Sequence, residues 1–415
     1  MAANNVPEWI NAELFEDVLK STVPGYTKVK TFKADAGSAA GENYATIMLR
    51  VNIEVELEEG KSKDVSYMVK LPHQLELYKE MMKQNNIFDV ERLMYCEVVP
   101  EMEALYKDVG VDVIFGARSY DFKGAKSDYV VLEDLGQKGF KNANRMEGLD
   151  QAHVERVLKK LAQWHAASAV RVATKGAYPE LLNLGVFKEE GRAMVTEMLN
   201  GMMSRFLKVC VTFDGHEEYI EEIKKIIPVA VDEMFKMAKI NTQEFNALNH
   251  GDFWSNNVMF QYDAFGKVKE VYLVDYQLPK YGTVAQDLLY FLLSSTKLED
   301  KISKFDYYIK FYHDNLIEHL KVLKYTRPLP TLRSIHSSLL KHGIFGFSIV
   351  TGVMSAVLLD PSENASFENF VGDSESGEAF QMQLYTNPRY RKHIQVIMPW
   401  LLNRGALETS APTSS

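Results

Sequence analysis

Apolar and polar residues alternate strictly over 51–57, with Val51, Ile53, Val55 and Leu57 on one side and Asn52, Glu54 and Glu56 on the other. A period of two over this length predicts a half-buried strand. A polar turn, Glu58 to Asp64, follows, and the alternation resumes with Val65, Tyr67 and Val69 against Ser66, Met68 and Lys70, the return arm of a hairpin. Lys70 therefore falls on the face opposite Val69, near the strand end before Pro72. From Phe88 through Glu103 the spacing turns helical, and Tyr129-Val130-Val131-Leu132 is an apolar strand running into Glu133-Asp134-Leu135-Gly136. Beyond Gly136 the pattern is mostly helical. Val154, Leu158 and Leu161 share one face of a helix opened by Asp150, and His165 on that face reads as a packed, hydrogen-bonded core histidine. Met194, Met198 and Met202 recur at helical spacing and either line an adaptable apolar pocket or, the preferred reading, belong to the core. The stretch Ile344 to Leu359 contains Gly346, Ser348, Thr351, Gly352 and Ser355, so it fits one buried helix better than a bilayer span.

The last short hairpin carries chemistry. Val258-Met259-Phe260 reads as a strand, Tyr262 to Gly266 as a turn, and Val271-Tyr272-Leu273-Val274 as the returning strand. Asn257 precedes this hairpin and Asp275 ends it, so the two are brought side by side. Upstream lies His250-Gly251-Asp252-Phe253-Trp254-Ser255-Asn256. In the phosphoryl-transfer template of protein kinases, an Asp takes the substrate hydroxyl proton, an Asn five positions on binds metal, and a second Asp after a hairpin binds metal too. Asp252, Asn257 and Asp275 meet that spacing. Two hard oxygen ligands suit magnesium, which takes its other ligands from phosphate and water. With an ordinary Asp pKa near ~4, Asp252 is expected to orient the hydroxyl rather than act as a strong base.

A nucleotide clamp should accompany such a site. Lys70 is placed to reach phosphates, or is a solvated lysine at a strand end. Glu91, on the helical run after Phe88, is either its ion-pair partner or a solvated carboxylate. The small-residue loop containing Gly37, Gly41 and Asn43 precedes the first hairpin, where backbone N–H groups could approach an anion, although it does not match GxGxxG. The backbone from Glu133 to Leu135 fits an interlobe hinge. Gly60-Lys61-Ser62 resembles the end of a P-loop, but Val55 stands where its first glycine would be.

Composition adds exclusions and boundaries. The chain has 415 residues, 46% hydrophobic and 25% charged, enough for two lobes, and its net charge of -9 argues against nucleic acid as a partner. Cys96 and Cys210 are the only cysteines, which excludes a disulfide framework. The segment Met1 to Leu19 carries acidic residues and no apolar core of a signal peptide. Cytoplasmic placement is expected, with no membrane and no protein partner. The basic run Arg389 to His393 reads as a solvated helix end. The expected division is an N-terminal nucleotide-clamping lobe over 1–135, a catalytic and acceptor-binding lobe over 136–408 and a flexible tail over 409–415.

The segments GSAAGENYAT, VSYMVK, FDVERLMYCEVVP, VLEDLG, LAQWHAAS, NHGDFWSNNVMF and LVDYQ followed by GTVAQDLLYFL together resemble the ecdysteroid kinase-like family of arthropods, within the choline kinase and aminoglycoside phosphotransferase group. The resemblance implies an α+β, protein-kinase-like bilobal fold with a β-rich N-lobe and a mainly helical C-lobe. It implies ATP and Mg2+ as cofactors, Asp252 as catalytic residue, Asn257 and Asp275 as metal ligands, and Lys70 on the phosphates with Glu91 as its partner. Adenine would be held by the backbone from Glu133 to Leu135. Asp287 resembles the Asp that braces the catalytic loop, or is a helix N-cap. Protein kinases have Arg where Gly251 stands, and Phe-Gly where Tyr276-Gln277 follows the metal Asp, so a small-molecule hydroxyl acceptor is expected, an ecdysteroid or hydroxylated xenobiotic. Phe253, Trp254 and the stretch from His342 to Phe347 are candidate pocket walls. A nucleotide-binding pseudokinase, or a metal hydrolase built on His250, Asp252 and Asp275, are the alternatives.

Overall fold

The computed structural model describes residues 6–37, 46–72, 86–123, 128–362, 365–366, 369–370 and 374–408. Five strands form one antiparallel sheet in the order β1-β2-β3-β5-β4: β1 Tyr26–Ala36, β2 Thr46–Leu57, β3 Ser62–Pro72, β4 Ser119–Tyr120 and β5 Val130–Glu133. The turn between β2 and β3 is tighter than the polar run suggests. Glu59 and Gly60 both adopt positive φ, at 67° and 72°, so β3 already starts at Ser62 and pairs it with Glu56.

The alternation does what its period requires. Val51, Ile53, Val55, Tyr67, Val69 and Val131 are buried together on one face, sealed by Phe15, Val18 and Leu19 of the N-terminal helical segment. Phe15 alone packs against the rings of Phe32, Tyr67 and Phe122. Burial of each such side chain is worth about 1.5–3 kcal/mol, so the sheet cannot slip register by one residue without exposing the set. The opposite face therefore carries Arg50, Met68 and Lys70, and the last is held in register against Met48 and Val130.

The helical run predicted after Phe88 is continuous but not uniform. An α-helix, Ile87–Leu93, passes through one π-helical turn, Met94–Val98, into a second α-helix, Val99–Asp108. Pro100 lies in the first turn of the latter; it has no N–H to give and its ring crowds the carbonyl four residues back, which the wider π turn relieves. The buried apolar residues of this run, Ile87 to Tyr106, pack into the larger of two apolar clusters, most of which belongs to the helical part of the chain. The fold is thus bilobal and kinase-like, a sheet lobe with its own small core and a mainly helical lobe.

Within the helical lobe, Gln151–Lys175 is capped by Asp150, whose carboxylate accepts from the His153 amide at 3.0 Å. Its Trp164 is fully buried, donates its indole N–H to the Leu248 carbonyl at 2.6 Å and stacks on Tyr276 at 5.1 Å. That one side chain ties the helix to two segments of the site. Strand β6 (Phe140–Lys141) pairs with β8 (Val258–Tyr262), which pairs with β9 (Val268–Leu273), while β7 (Asn246–Asn249) pairs with β10 (Lys280–Thr283).

Two helical expectations change. The stretch read as one helix from Ile344 is two, Gly343–Thr351 and Val353–Val357, broken where Gly352 takes φ -118° and ψ -98°. In the basic run, Tyr390 and His393 are buried within helix Pro388–Asn403, because two of the five positions fall on its core-facing side. Among the described residues no helix is long and apolar enough to cross a membrane, and Cys96 and Cys210 are free thiols, one exposed and one buried.

Candidate active site

The β8–β9 hairpin sets the geometry. Its register pairs Val258 with Leu273 and Phe260 with Val271, and the Val274 amide donates to the Asn257 carbonyl at 3.0 Å. Asn257 and Asp275 are thereby held across from each other. Asp275 sits at φ 67°, in the left-handed region that Asp tolerates better than most residues, and its amide donates to the Tyr95 hydroxyl at 3.3 Å. Asn257 donates through Nδ2 to Asp252, to the backbone carbonyl at 2.8 Å and to carboxylate Oδ2 at 3.0 Å. That use of the amide nitrogen turns Oδ1 away from Asp252, and among the described residues it accepts no hydrogen bond.

The loop before Asp252 is braced from beneath. Asp287, in the first turn of helix Ala285–Ser295, accepts from the His250 amide at 2.7 Å through Oδ2 and from the Gly251 amide at 3.0 Å through Oδ1. The N-cap of that helix is Val284, so Asp287 serves the loop and not the helix end. Behind it, His165 contacts Asp287 Oδ2 at 3.3 Å and the Tyr312 hydroxyl at 2.7 Å, fully buried, in the hydrogen-bonded core role its helix position suggests. The His250 ring reaches across with Nε2 to the Val274 carbonyl at 2.9 Å, which pins the loop to the strand that delivers Asp275. Gly251 has a physical reason beyond the absence of Arg. At φ +82°, a Cβ there would lie 1.8 Å from the Leu278 carbonyl oxygen, so only glycine fits.

The sheet lobe supplies a cation. Lys70 Nζ lies 2.8 Å from Glu91 Oε2 and 2.6 Å from Asp275 Oδ1, and both Lys70 and Glu91 are buried. The solvated alternatives for these two are therefore excluded. Burial by itself would depress the Lys70 pKa, but the charges of Asp275 and Glu91 outweigh it and the ammonium is held above its ordinary value. Burial pushes Glu91 up to about 7, against the attraction of Lys70.

Asp252 departs from the sequence expectation of an ordinary carboxyl. Its pKa is raised, first by burial and then by the charge of Asp275, while hydrogen bonds from Tyr290 and Asn257 pull it back down. The sequence reading missed both causes because neither burial nor the approach of Asp275 is a property of the loop's own residues. It also missed Tyr290, whose hydroxyl donates to Asp252 Oδ1 at 2.6 Å. The signal was available: Tyr290 lies three residues past Asp287, one helical turn along the same face.

The remaining candidates divide. Gly37 follows β1, donates to the Met48 carbonyl at 2.7 Å and lies against Met68, while Gly41 and Asn43 lie outside the described residues. The Glu133 amide is taken by the Arg118 carbonyl at 2.9 Å, so it is not free for a ligand. Leu135 opens the 3₁₀ turn Leu135–Lys138, and an amide at that position has no partner within its own turn. Phe253 is no pocket wall. It is fully buried between His250 and Phe291, and Gly343 to Phe347 are likewise core. Of the methionines, Met202 is buried but Met194 and Met198 are only half covered, because the start of helix Arg192–Cys210 is less enclosed than its end.

Among the described residues no group of three or more His, Cys, Asp or Glu is placed to hold a metal. Asn257 and Asp275 offer two oxygen ligands, the small protein share that magnesium takes when phosphate supplies the rest. The donor set fits such an ion and not a protein-only cage. The sequence profile of the ecdysteroid kinase-like family matches residues 40–325, and the chain belongs to that family. No curated protein matched. Membership implies a kinase-like small-molecule phosphotransferase.

Proposed function

We propose that this member of the ecdysteroid kinase-like family transfers a phosphoryl group from ATP, with magnesium, to an alcohol hydroxyl of a small molecule, an ecdysteroid or a hydroxylated xenobiotic. The observation that carries this reading is the convergence on Lys70 of two carboxylates remote in sequence, Glu91 and Asp275, at 2.8 and 2.6 Å. A buried lysine between two acids is costly to maintain, and its contact with Asp275, whose charge also reaches Asp252, supports a role in gripping phosphate. In this reading residues 1–135 clamp the nucleotide and 136–408 hold the acceptor.

Magnesium bound by Asn257 Oδ1 and Asp275 would supply charge neutralisation at the phosphates. Lys70, held by Glu91, would place its charge on the phosphate oxygens. The Leu135 amide, which has no partner within its own turn, would meet the adenine edge. Asp252 receives the acceptor hydroxyl, orients it and accepts its proton. Its raised pKa makes it a better proton acceptor than an ordinary aspartate, so its contribution is partly general-base and partly positional.

The test is incubation of the full chain with ATP, magnesium and a pool of ecdysteroids and other alcohols, read by mass spectrometry for the mass of one added phosphate. Asp252→Ala should abolish transfer while nucleotide affinity persists, and loss of nucleotide binding would show the Asp to be structural. Nucleotide binding without transfer to any acceptor would favour a pseudokinase.

A further inference from the structure

A cavity of about 850 Å³ opens on the helical lobe away from the site described above. Ligand pockets fall in the range of about 300–1,000 Å³, so the volume suits a small organic molecule. Its floor is Phe245, Tyr281, Val284, Tyr325 and Ile335, and none of Lys70, Glu91, Asp252, Asn257 or Asp275 lines it. The β7–β10 pair explains the separation. Thr283 pairs with Asn246 at the cavity end and Lys280 with Asn249 at the catalytic end, and three strand steps amount to about 10 Å.

Two features single out what would fill it. Ile240 and Leu329, among the few large apolar side chains left exposed at 40% and 38%, both stand on its lining. Exposed apolar side chains gathered at one opening point to an apolar ligand. The cations there are unbalanced. Lys341 is paired with Glu244, whereas the side chains of Arg327 and Arg333 have no ion pair or hydrogen bond among the described residues. Arg333 moreover occupies the first turn of helix Leu332–Lys341, which has no acidic residue in that turn, although helix N-termini favour negative side chains. A positive charge kept there unpaired, beside an apolar floor, complements an anion.

We propose that this cavity is a second small-molecule site, taking a compact molecule of fused or linked apolar rings with one anionic group, the rings on Tyr281, Tyr325 and Val284 and the anion on Arg327 and Arg333. The site stands independently of the phosphotransferase reading, since it shares no residue with it.

The probes are 8-anilinonaphthalene-1-sulfonate and its uncharged counterpart N-phenyl-1-naphthylamine, titrated by fluorescence into the full chain. The sulfonate should bind saturably at one site and more tightly than the amine, and excess ADP should leave it bound. Arg327→Ala with Arg333→Ala should weaken the sulfonate by about tenfold or more, the scale of a lost charge-assisted hydrogen bond, and change the amine by less than about twofold. Ser337→Trp, an exposed lining position, should exclude both probes. Melting temperatures matching the parent would show that all variants fold. Unsaturable binding, equal affinity for the two probes, displacement by ADP, or an unchanged sulfonate affinity in the double variant would each overturn the proposal.

Discussion

Replacing Tyr290 by Phe removes one hydroxyl and isolates a single electrostatic effect. That hydroxyl donates to Asp252 Oδ1 at 2.6 Å, and the residue is buried on the rigid helix that also carries Asp287. A hydrogen bond given to a charged group is worth about 1.5–3 kcal/mol. Because it favours the ionised carboxylate, its loss should strengthen proton binding by Asp252 by roughly ten- to a hundredfold, moving the titration upward. The acceptor need not be known to see this. Carboxyl-13C aspartate titration reports it directly, with the Asp252 signal identified by its absence in Asp252→Asn. Stability gives an independent sign. Asp252 already has a raised pKa in the folded state, so the folded chain keeps this proton after the unfolded chain has lost it, and stability falls as pH rises through that window. In Tyr290→Phe the window extends higher. The variant should match the parent in acid and fall behind it by about 1.5–3 kcal/mol once both carboxylates are ionised. The acid limb of kcat should move up with the titration. A titration that stays put or moves down, or a stability gap independent of pH, would refute the argument.

Three other substitutions have definite expected outcomes. Lys70→Met leaves Glu91 buried beside Asp275 without its cation; burial already holds Glu91 above the usual carboxylate range and loss of the Lys70 charge pushes it further up, so the cost should approach about 3–5 kcal/mol only at a pH high enough to ionise Glu91 and shrink on acidification as it takes up a proton, checked by denaturant titration across pH. Gly251→Ala forces a Cβ to 1.8 Å from the Leu278 oxygen at φ +82°, adding a clash to the about 1–2 kcal/mol of a left-handed residue, so melting temperature and transfer should fall together. Asp287→Asn keeps one acceptor oxygen where two amides need one each, an unsatisfied group costing about 1–3 kcal/mol; kcat should drop while ATP affinity, measured calorimetrically, is retained.

What could be read from the sequence followed from periodicity and short-range spacing. The alternation over 51–57 and 65–70 predicted the β2–β3 hairpin and put Lys70 on the face opposite the buried apolar set, because period two admits one arrangement once a face is buried; that Lys70 is buried there rather than solvated could not be read from it. The apolar hairpin after Asn257 likewise predicted that Asp275 would return beside it. What was hidden depends on contacts between distant segments. No local pattern shows that Leu278 presses on Gly251, that burial raises Asp252, or that Phe253 is turned into the core although its place on the loop made it look like a pocket wall. The break at Gly352 was hidden differently, since glycine inside an apolar run is compatible with a continuous helix, and only the folded backbone shows the φ of -118° and ψ of -98° that end it.

The bracing has a consequence for where specificity can reside. His250 bonds the Val274 carbonyl, Asp287 holds the His250 and Gly251 amides, and His165 and Tyr312 back Asp287 from the core. Asp252, Asn257 and Asp275 thus belong to one hydrogen-bonded unit whose members are mostly buried, and altering any of them disturbs the others. Such a unit cannot be reshaped to suit one alcohol over another without losing its geometry. On the proposed reading, acceptor preference would come from surfaces outside the brace. The half-covered Met194 and Met198 lie on helix Arg192–Cys210, whose Met202 packs at the Gly352 break, and the two helices flanking that break pack on the helix carrying Tyr290. Flexible, unbranched side chains there can change shape at small cost. Met194→Ala and Met198→Ala should therefore change KM between acceptors of different size while leaving the affinity for ATP as it is, and an equal change in KM for every acceptor would place specificity elsewhere.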